Sequence, residues 1–245
     1  MTMQLSTILW ACAGGFLPAL FWLWFWLKED EHPEPHKIIF YAFLGGMLMV
    51  FAALFLEGWA KEIVEVNPWS WSFFISGKGY AITSGFILVV VWAAIEEILK
   101  LGAAFVSSLV RKEDDEPIDP AIYLMATAIG FAALENVLFI INPLQAGDLS
   151  LGILTGNIRF IGSTLLHLLS SAIIGVCVGL VFYRSLWTKF SCTILGLILA
   201  IALHTTFNLL IIHVSTMTFA LLLVWISIIV LALFFEKLKN ISPNN

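Results

Sequence analysis

Four apolar stretches of this chain carry ionisable or strongly polar residues at positions expected to lie in lipid. Glu96, Glu97 and Lys100 fall in one, Glu135 and Asn136 in the next, His167 in a third, and His204 with Asn208 in a fourth. A charge at the bilayer centre costs about 2.5–3.5 kcal/mol on the mildest scale, so such residues usually face a shared interior and serve chemistry, transport or a relay. Acids, imidazoles and amides together suit the activation of water. A carboxylate in a low-dielectric site can act as a base near neutrality, and a histidine with an asparagine one turn away can hold a developing oxyanion.

Helical spacing suggests how these residues divide the work. Glu96 and Lys100 are one turn apart and are expected to pair, whereas Glu97 projects about 100° away and is expected to be free to act on water. A structural ion pair would account for only one of the two glutamates. Gly130, Ala132 and Ala133 let another helix approach closely, which brings Glu135 and Asn136 into the contact. A plain interhelical hydrogen bond is the structural alternative there. His167 has Ser163 and Ser171 one turn away on its own face. A lone histidine is commonly a satisfied core residue, but two on neighbouring segments facing three glutamates argue for a site. His32, His36 and His213 fall in loops or at segment ends and are not site candidates.

The elements that must position these residues are transmembrane helices. The chain is 60% hydrophobic and 12% charged over 245 residues, against about 25% charged for a soluble domain. The expected fold is an all-α polytopic membrane helix bundle of about seven transmembrane helices, a single membrane-embedded domain over residues 1–245 with its motif-bearing core at about 80–212. The apolar segments run about Leu5–Leu27, Ile38–Leu56, Tyr80–Val110, Ala121–Ile141, Ile158–Tyr183, Phe190–Ile212 and Thr216–Phe235. The third is over-long and must tilt or project. The first lacks the basic start of a signal peptide and reads as a true span.

Lys28, Lys37, Arg111, Lys112, Arg184, Lys189, Lys237 and Lys239 lie on one side of these segments, and Lys61, Lys78 and Arg159 on the other. Cytoplasmic loops collect basic residues, which places the N-terminus outside and the C-terminus inside. The four polar stretches then lie in the outer half to the middle of the bilayer. Glu57–Gly79 becomes an external loop whose Trp59, Trp69 and Trp71, around Asn67-Pro68, suit an interfacial anchor or a substrate-docking lid. Glu113-Asp114-Asp115-Glu116 reads as a solvated cytoplasmic run. The net charge of -5 gives no nucleic-acid footprint. Cys12, Cys177 and Cys192 are far apart and read as buried small hydrophobes.

Several membrane catalysts are excluded by their motifs. There is no HExxH for a zinc protease, no Gly-x-Gly-Asp in a span, no glycine two residues before Ser76 or Ser84, and no lysine in the middle of the last span for a retinal Schiff base.

Glu96-Glu97-x-x-Lys100, then Gly130-Phe131 with Glu135-Asn136, then a lone His167, then His204-x-x-x-Asn208, in four successive spans, resemble the PrsW family of intramembrane proteases. That family is similar to the type II CAAX prenyl endopeptidases and their bacterial relatives. The motif here has Lys100 where the prenyl endopeptidases carry arginine one residue later, and Glu135 where they carry histidine, so the PrsW branch fits better. The resemblance implies endoproteolysis of a membrane-anchored protein near the external side, such as the first cleavage of an anti-sigma factor in a signalling cascade. Within that activity, Glu97 is expected as general base, His167 as the residue orienting water, and His204 with Asn208 as the oxyanion donors. Glu135 would support them, with Lys100 and Asn136 in auxiliary roles. No cofactor is favoured; zinc, held by His167, His204 and Glu97, is the alternative. Two other classes compete with this reading. An ion-coupled transporter would string the polar residues between the two faces, and a non-catalytic scaffold would pair each of them locally.

Overall fold

The computed structural model describes residues 4–66, 78–212 and 215–242. Among the described residues the chain forms α1 (Leu5–Leu27), α2 (His36–Val66), α3 (Lys78–Ala104), α4 (Asp119–Gln145), α5 (Leu149–Ile158), α6 (Thr164–Gly179), α7 (Leu186–Ile211) and α8 (Met217–Lys239). Two π-helical turns, Phe105–Leu109 and Arg159–Ser163, follow α3 and join α5 to α6. Among the described residues, six rods are long and apolar enough to cross a membrane: α1, α2, α4, the continuous Leu149–Gly179 unit, α7 and α8. The expected membrane helix bundle is therefore what forms. Glu96, Glu97 and Lys100 lie on α3.

The centre of the bundle is α4, buried at every position from Asp119 to Ala133. It packs against α1, α2 and α6, while α7 closes the far side against α6 and α3. Glycine sets the α2–α4 spacing. A Cβ on Gly46 would strike the Thr127 carbonyl, and one on Gly130 would strike the Phe43 carbonyl. Backbones that approach this closely gain van der Waals contact, the force left to helices already surrounded by apolar lipid.

Three expectations need correction. First, α2 runs past Leu56 to Val66, so Glu57 and Trp59 are helical and not part of a loop. The rest of that segment's Trp69, Trp71 and Asn67-Pro68, and also His213, lie outside the described residues. Second, the fifth rod starts at Leu149, where Asp148 accepts the Leu151 N–H at 2.8 Å. Arg159 is thus inside a rod instead of at a span edge. Third, the acidic run is not simply solvated. Glu116 pairs with His32 at 2.8 Å, and Asp114 has a buried oxygen without a hydrogen-bond partner among the described residues.

Candidate active site

The polar residues of α3, α4, α6 and α7 converge. The His167 and His204 rings stand edge to face with centroids 5.1 Å apart, so the two histidines form a compact pair despite lying on different rods. Glu96, Glu97, Lys100, His167 and His204 are all buried.

The two adjacent glutamates divide differently from the expectation. Lys100 pairs with Glu97, its Nζ 2.6 Å from Oε1, and not with Glu96. Glu97 Oε1 also accepts from Ser170 Oγ at 2.8 Å and lies 2.7 Å from His204 Nδ1, while Ser171 Oγ reaches Oε2 at 3.4 Å. Glu97 is thus a fully engaged acceptor. Helical spacing permits pairing at both three and four residues. The choice falls to the donors on α6 and α7, all of which lie on the Glu97 side.

Glu96 keeps an unengaged oxygen. Among the described residues its buried Oε2 has no hydrogen-bond partner. That oxygen lies 3.6 Å from His167 Nδ1 and 3.8 Å from His204 Nε2. The opposite ring nitrogens are occupied: His204 Nδ1 by Glu97, and His167 Nε2 by Glu135 Oε2 at 2.9 Å. A carboxylate on one imidazole nitrogen holds the proton there and leaves the other nitrogen's lone pair exposed. The His204 lone pair is thereby turned toward Glu96, and that of His167 lies between Glu96 and the Lys100 ammonium.

Glu135 is held in turn by an ion pair with Arg159. Arg159 Nε donates to Asn136 Oδ1 at 2.5 Å, and Asn136 Nδ2 donates to Thr164 Oγ1 at 2.8 Å. The guanidinium also lies over the Phe139 ring, 4.0 Å from its centroid. Asn136 therefore supports Glu135 through arginine. Asn208 is half-buried one turn beyond His204 and makes no side-chain hydrogen bond to a described residue.

Reading the sequence missed Arg159, Ser170 and Thr164. A basic residue inside a rod at the depth of Glu135 was the available signal for Arg159. Ser170 adjoins Ser171, which the same-face argument had selected.

Glu96, His167 and His204 each offer one ligand atom, all within 4.8 Å of one another. The metal-binding set expected from sequence named Glu97 with the two histidines; the geometry replaces Glu97 with Glu96, because Glu97 is spent on Lys100 and on the far nitrogen of His204. The donors fit a zinc-type ion: one carboxylate and two imidazoles, each imidazole backed by a carboxylate. Lys100 Nζ also sits 3.3 Å from His167 Nδ1, so that nitrogen must give up the lysine to bind an ion. Lys100 would keep Glu97.

The comparisons with known proteins bear on this geometry. The profile of the PrsW family intramembrane metalloproteases matches residues 34–234. The chain belongs to that family. Curated relatives named Protease PrsW include one from Geobacillus kaustophilus, 27% identical over 68% of this chain and 64% of its own length. The Bacillus subtilis relative is 24% identical over 83% of each chain. The Oceanobacillus iheyensis relative is 24% identical over 93% of this chain and 95% of its own. No solved structure matches the chain significantly. The family is one of intramembrane proteases, so the expected activity class and a multi-pass membrane location hold at that level.

Proposed function

We propose that this PrsW-family protein is an endopeptidase that hydrolyses a peptide bond of a membrane-anchored protein at the centre formed by Glu96, His167 and His204. The observation that carries the reading is the buried, unpartnered Glu96 Oε2 facing two imidazole nitrogens whose other sides are held by carboxylates. A scaffold would pair that oxygen off, and a transporter would spread these groups along a path instead of gathering them. The roles expected of Glu96 and Glu97 exchange. Glu97 orients His204 and balances Lys100, while Glu96 faces the reacting space. Glu135, clamped by Arg159, orients His167. Asn208 is half-buried beside His204 on α7 and serves as a hydrogen-bond donor to the substrate carbonyl or the oxyanion that forms from it.

The metal-dependent form of this mechanism is favoured by the compact donor set and by the family's description as metalloproteases. A zinc ion held by Glu96, His167 and His204 would supply Lewis-acid activation of water and of the scissile carbonyl. In the metal-free alternative Glu96 itself takes the proton from water.

The substrate side rests on resemblance and charge. A single-span anti-sigma factor cut near the external face suits a site in the outer half of the membrane, with the N-terminus outside and the C-terminus in the cytoplasm. The test is cleavage of a panel of single-span proteins by the full-length chain in detergent, with and without chelator. Cleavage lost on chelation and restored by zinc supports the metal form, and cleavage indifferent to chelator supports the glutamate form. No cleavage of any substrate by a folded, zinc-loaded protein refutes the peptidase. A C-terminal reporter active on the exterior would reverse the orientation.

A further inference from the structure

The rod that carries His167 is interrupted just before it. In the π-turn Arg159–Ser163 the Thr164 N–H bonds to the Arg159 carbonyl, five residues back, so this turn holds one residue more than an α-turn. Three residues in and after the turn bond the same pair on α4. Arg159 ion-pairs with Glu135 and donates from Nε to Asn136 Oδ1 at 2.5 Å. Thr164 Oγ1 accepts from Asn136 Nδ2 at 2.8 Å, and His167 Nε2 lies 2.9 Å from Glu135 Oε2. An uninterrupted α-helix would not present all three together. At about 100° per residue, Arg159 and Thr164 would point about 140° apart around its axis. The extra residue turns Arg159 back by about 100°, and Arg159, Thr164 and His167 then share an arc of about 60°.

We propose that this π-turn is a register insert for the active site: its extra residue brings Arg159 onto the face of His167, and only in that register is Arg159 a positioning residue for Glu135 and, through it, for the His167 ring. The inference rests on the reading above for its link to catalysis. Wide turns of this kind are rare and gather at functional sites. This one is built into the packing. The Phe160 carbonyl, inside the turn, accepts the Trp22 Nε1–H from α1 at 3.3 Å, and the Trp22 and Phe160 ring centroids are 5.8 Å apart. Gly162 is buried where a Cβ would come within 3.3 Å of Phe207 on α7 and of Leu221 on α8. Ile161 is the exposed member of the turn, so chain length can be changed there with least disturbance to these contacts. The insert also hides the pairing from the sequence. Arg159 and His167 are eight residues apart, which on a regular helix leaves them about 80° apart.

The register can be broken and restored without removing a functional group. One alanine inserted after Ile161 rotates Arg159 about 100° off the His167 face. Exchanging two neighbours, Arg159→Phe with Phe160→Arg, moves the guanidinium about 100° in the opposite sense. Insertion and exchange together return the arginine to its place. The full-length protein in detergent is assayed for cleavage, and its zinc affinity is measured by competition with a chromophoric chelator. Zinc reports on the site because partners that orient ligating histidines typically change metal affinity about 10–100-fold. The insertion alone and the exchange alone are each expected to fall to the level of Arg159→Ala, about 10–100-fold below the parent in both readouts, and the combination is expected to lie close to the parent. A combination that recovers nothing overturns the proposal, and so does a parent-like result for the insertion, for the exchange or for Arg159→Ala. If the insertion does not survive extraction, deletion of Ile161 carries the test. It turns the Thr164–Arg159 bond into an ordinary α-helical one and keeps Arg159 on the His167 face. Parent-like behaviour of the deletion upholds the proposal, and a loss as large as that of Arg159→Ala overturns it. The expected pattern in zinc affinity without cleavage by any variant upholds the register insert and refutes the peptidase. The same pattern in cleavage without zinc binding upholds the insert together with the metal-free form. A parent that neither binds zinc nor cleaves overturns both.

Discussion

Two buried clusters of acids occupy different parts of the bundle, and they are built on opposite plans. In the candidate active site two acids are matched to bases, Glu97 to Lys100 and His204 and Glu135 to Arg159 and His167, and Glu96 is left over. Where the α1–α2 and α3–α4 loops meet, acids gather on one another. Tyr123 donates to Glu34, Asp119 Oδ2 accepts the Asp115 and Glu116 N–H groups, and Asp30 and Glu34 are buried beside them. Burial pushes the Asp114 carboxyl up to about 7, with Lys189 opposing the shift and Glu34 and Asp115 adding to it. Burial also raises Glu34. The first plan retains ions in the membrane by pairing them and leaves one oxygen over for chemistry. In the second plan burial strengthens the hold of Asp114 and Glu34 on their protons.

Breaking the matched cluster at its free group should have the largest effect. Glu96→Gln and His204→Ala are each expected to lower the rate of cleavage by about 10²–10⁴-fold with yield and detergent behaviour unchanged. Near-normal cleavage by Glu96→Gln would return the working role to Glu97. Lys100→Ala attacks the pairing itself and strands Glu97 as a buried charge, a loss of about 3–5 kcal/mol by the behaviour of such pairs. Reduced yield and a lowered unfolding temperature in detergent would show it, and an unchanged unfolding temperature would mean that Glu97 is not held as an ion there. Arg159→Ala releases Glu135 at a half-buried position, so activity should fall about 10–100-fold with a smaller change in stability. Arg159→Lys should recover only part, because lysine lacks the fork that serves Glu135 and Asn136 together.

The proton-rich cluster gives the smallest effect. Folded, Asp114 holds its proton up to about pH 7, whereas its ordinary value is 3.8. The folded state therefore binds more protons between those values, and stability falls as pH rises through that window. Asp114→Asn should flatten this slope and raise the unfolding temperature at neutral pH, by about 2–4 °C for each kcal/mol recovered in a chain of this size. An identical pH profile in the variant would show that Asp114 does not titrate in the folded protein in this range.

Much of this was legible in the sequence because lipid is a strict solvent. The apolar runs mark the rods, and polar residues inside them at related depths mark a common interior, since nothing else in a bilayer tolerates them. Glu96, Glu97, Lys100, Glu135, His167 and His204 could be picked out one by one on that ground. Arg159 escapes because it reads as a residue at a segment edge, where charge needs no explanation. Only its true helical context, with α5 begun at Leu149, turns it toward Glu135.

The amino-acid order alone determined that the chain is a membrane bundle, which rods carry the polar groups and how those groups are spaced along each rod. The tertiary structure decided which glutamate takes Lys100 and which ring nitrogens are occupied by carboxylates. The reason is physical. A helix offers Lys100 two glutamates at nearly equal reach, three and four residues away, and the balance is tipped by serine and histidine donors on other helices. Those donors have no fixed spacing from α3 along the chain, so only the packing of α3 against α6 and α7 could set it.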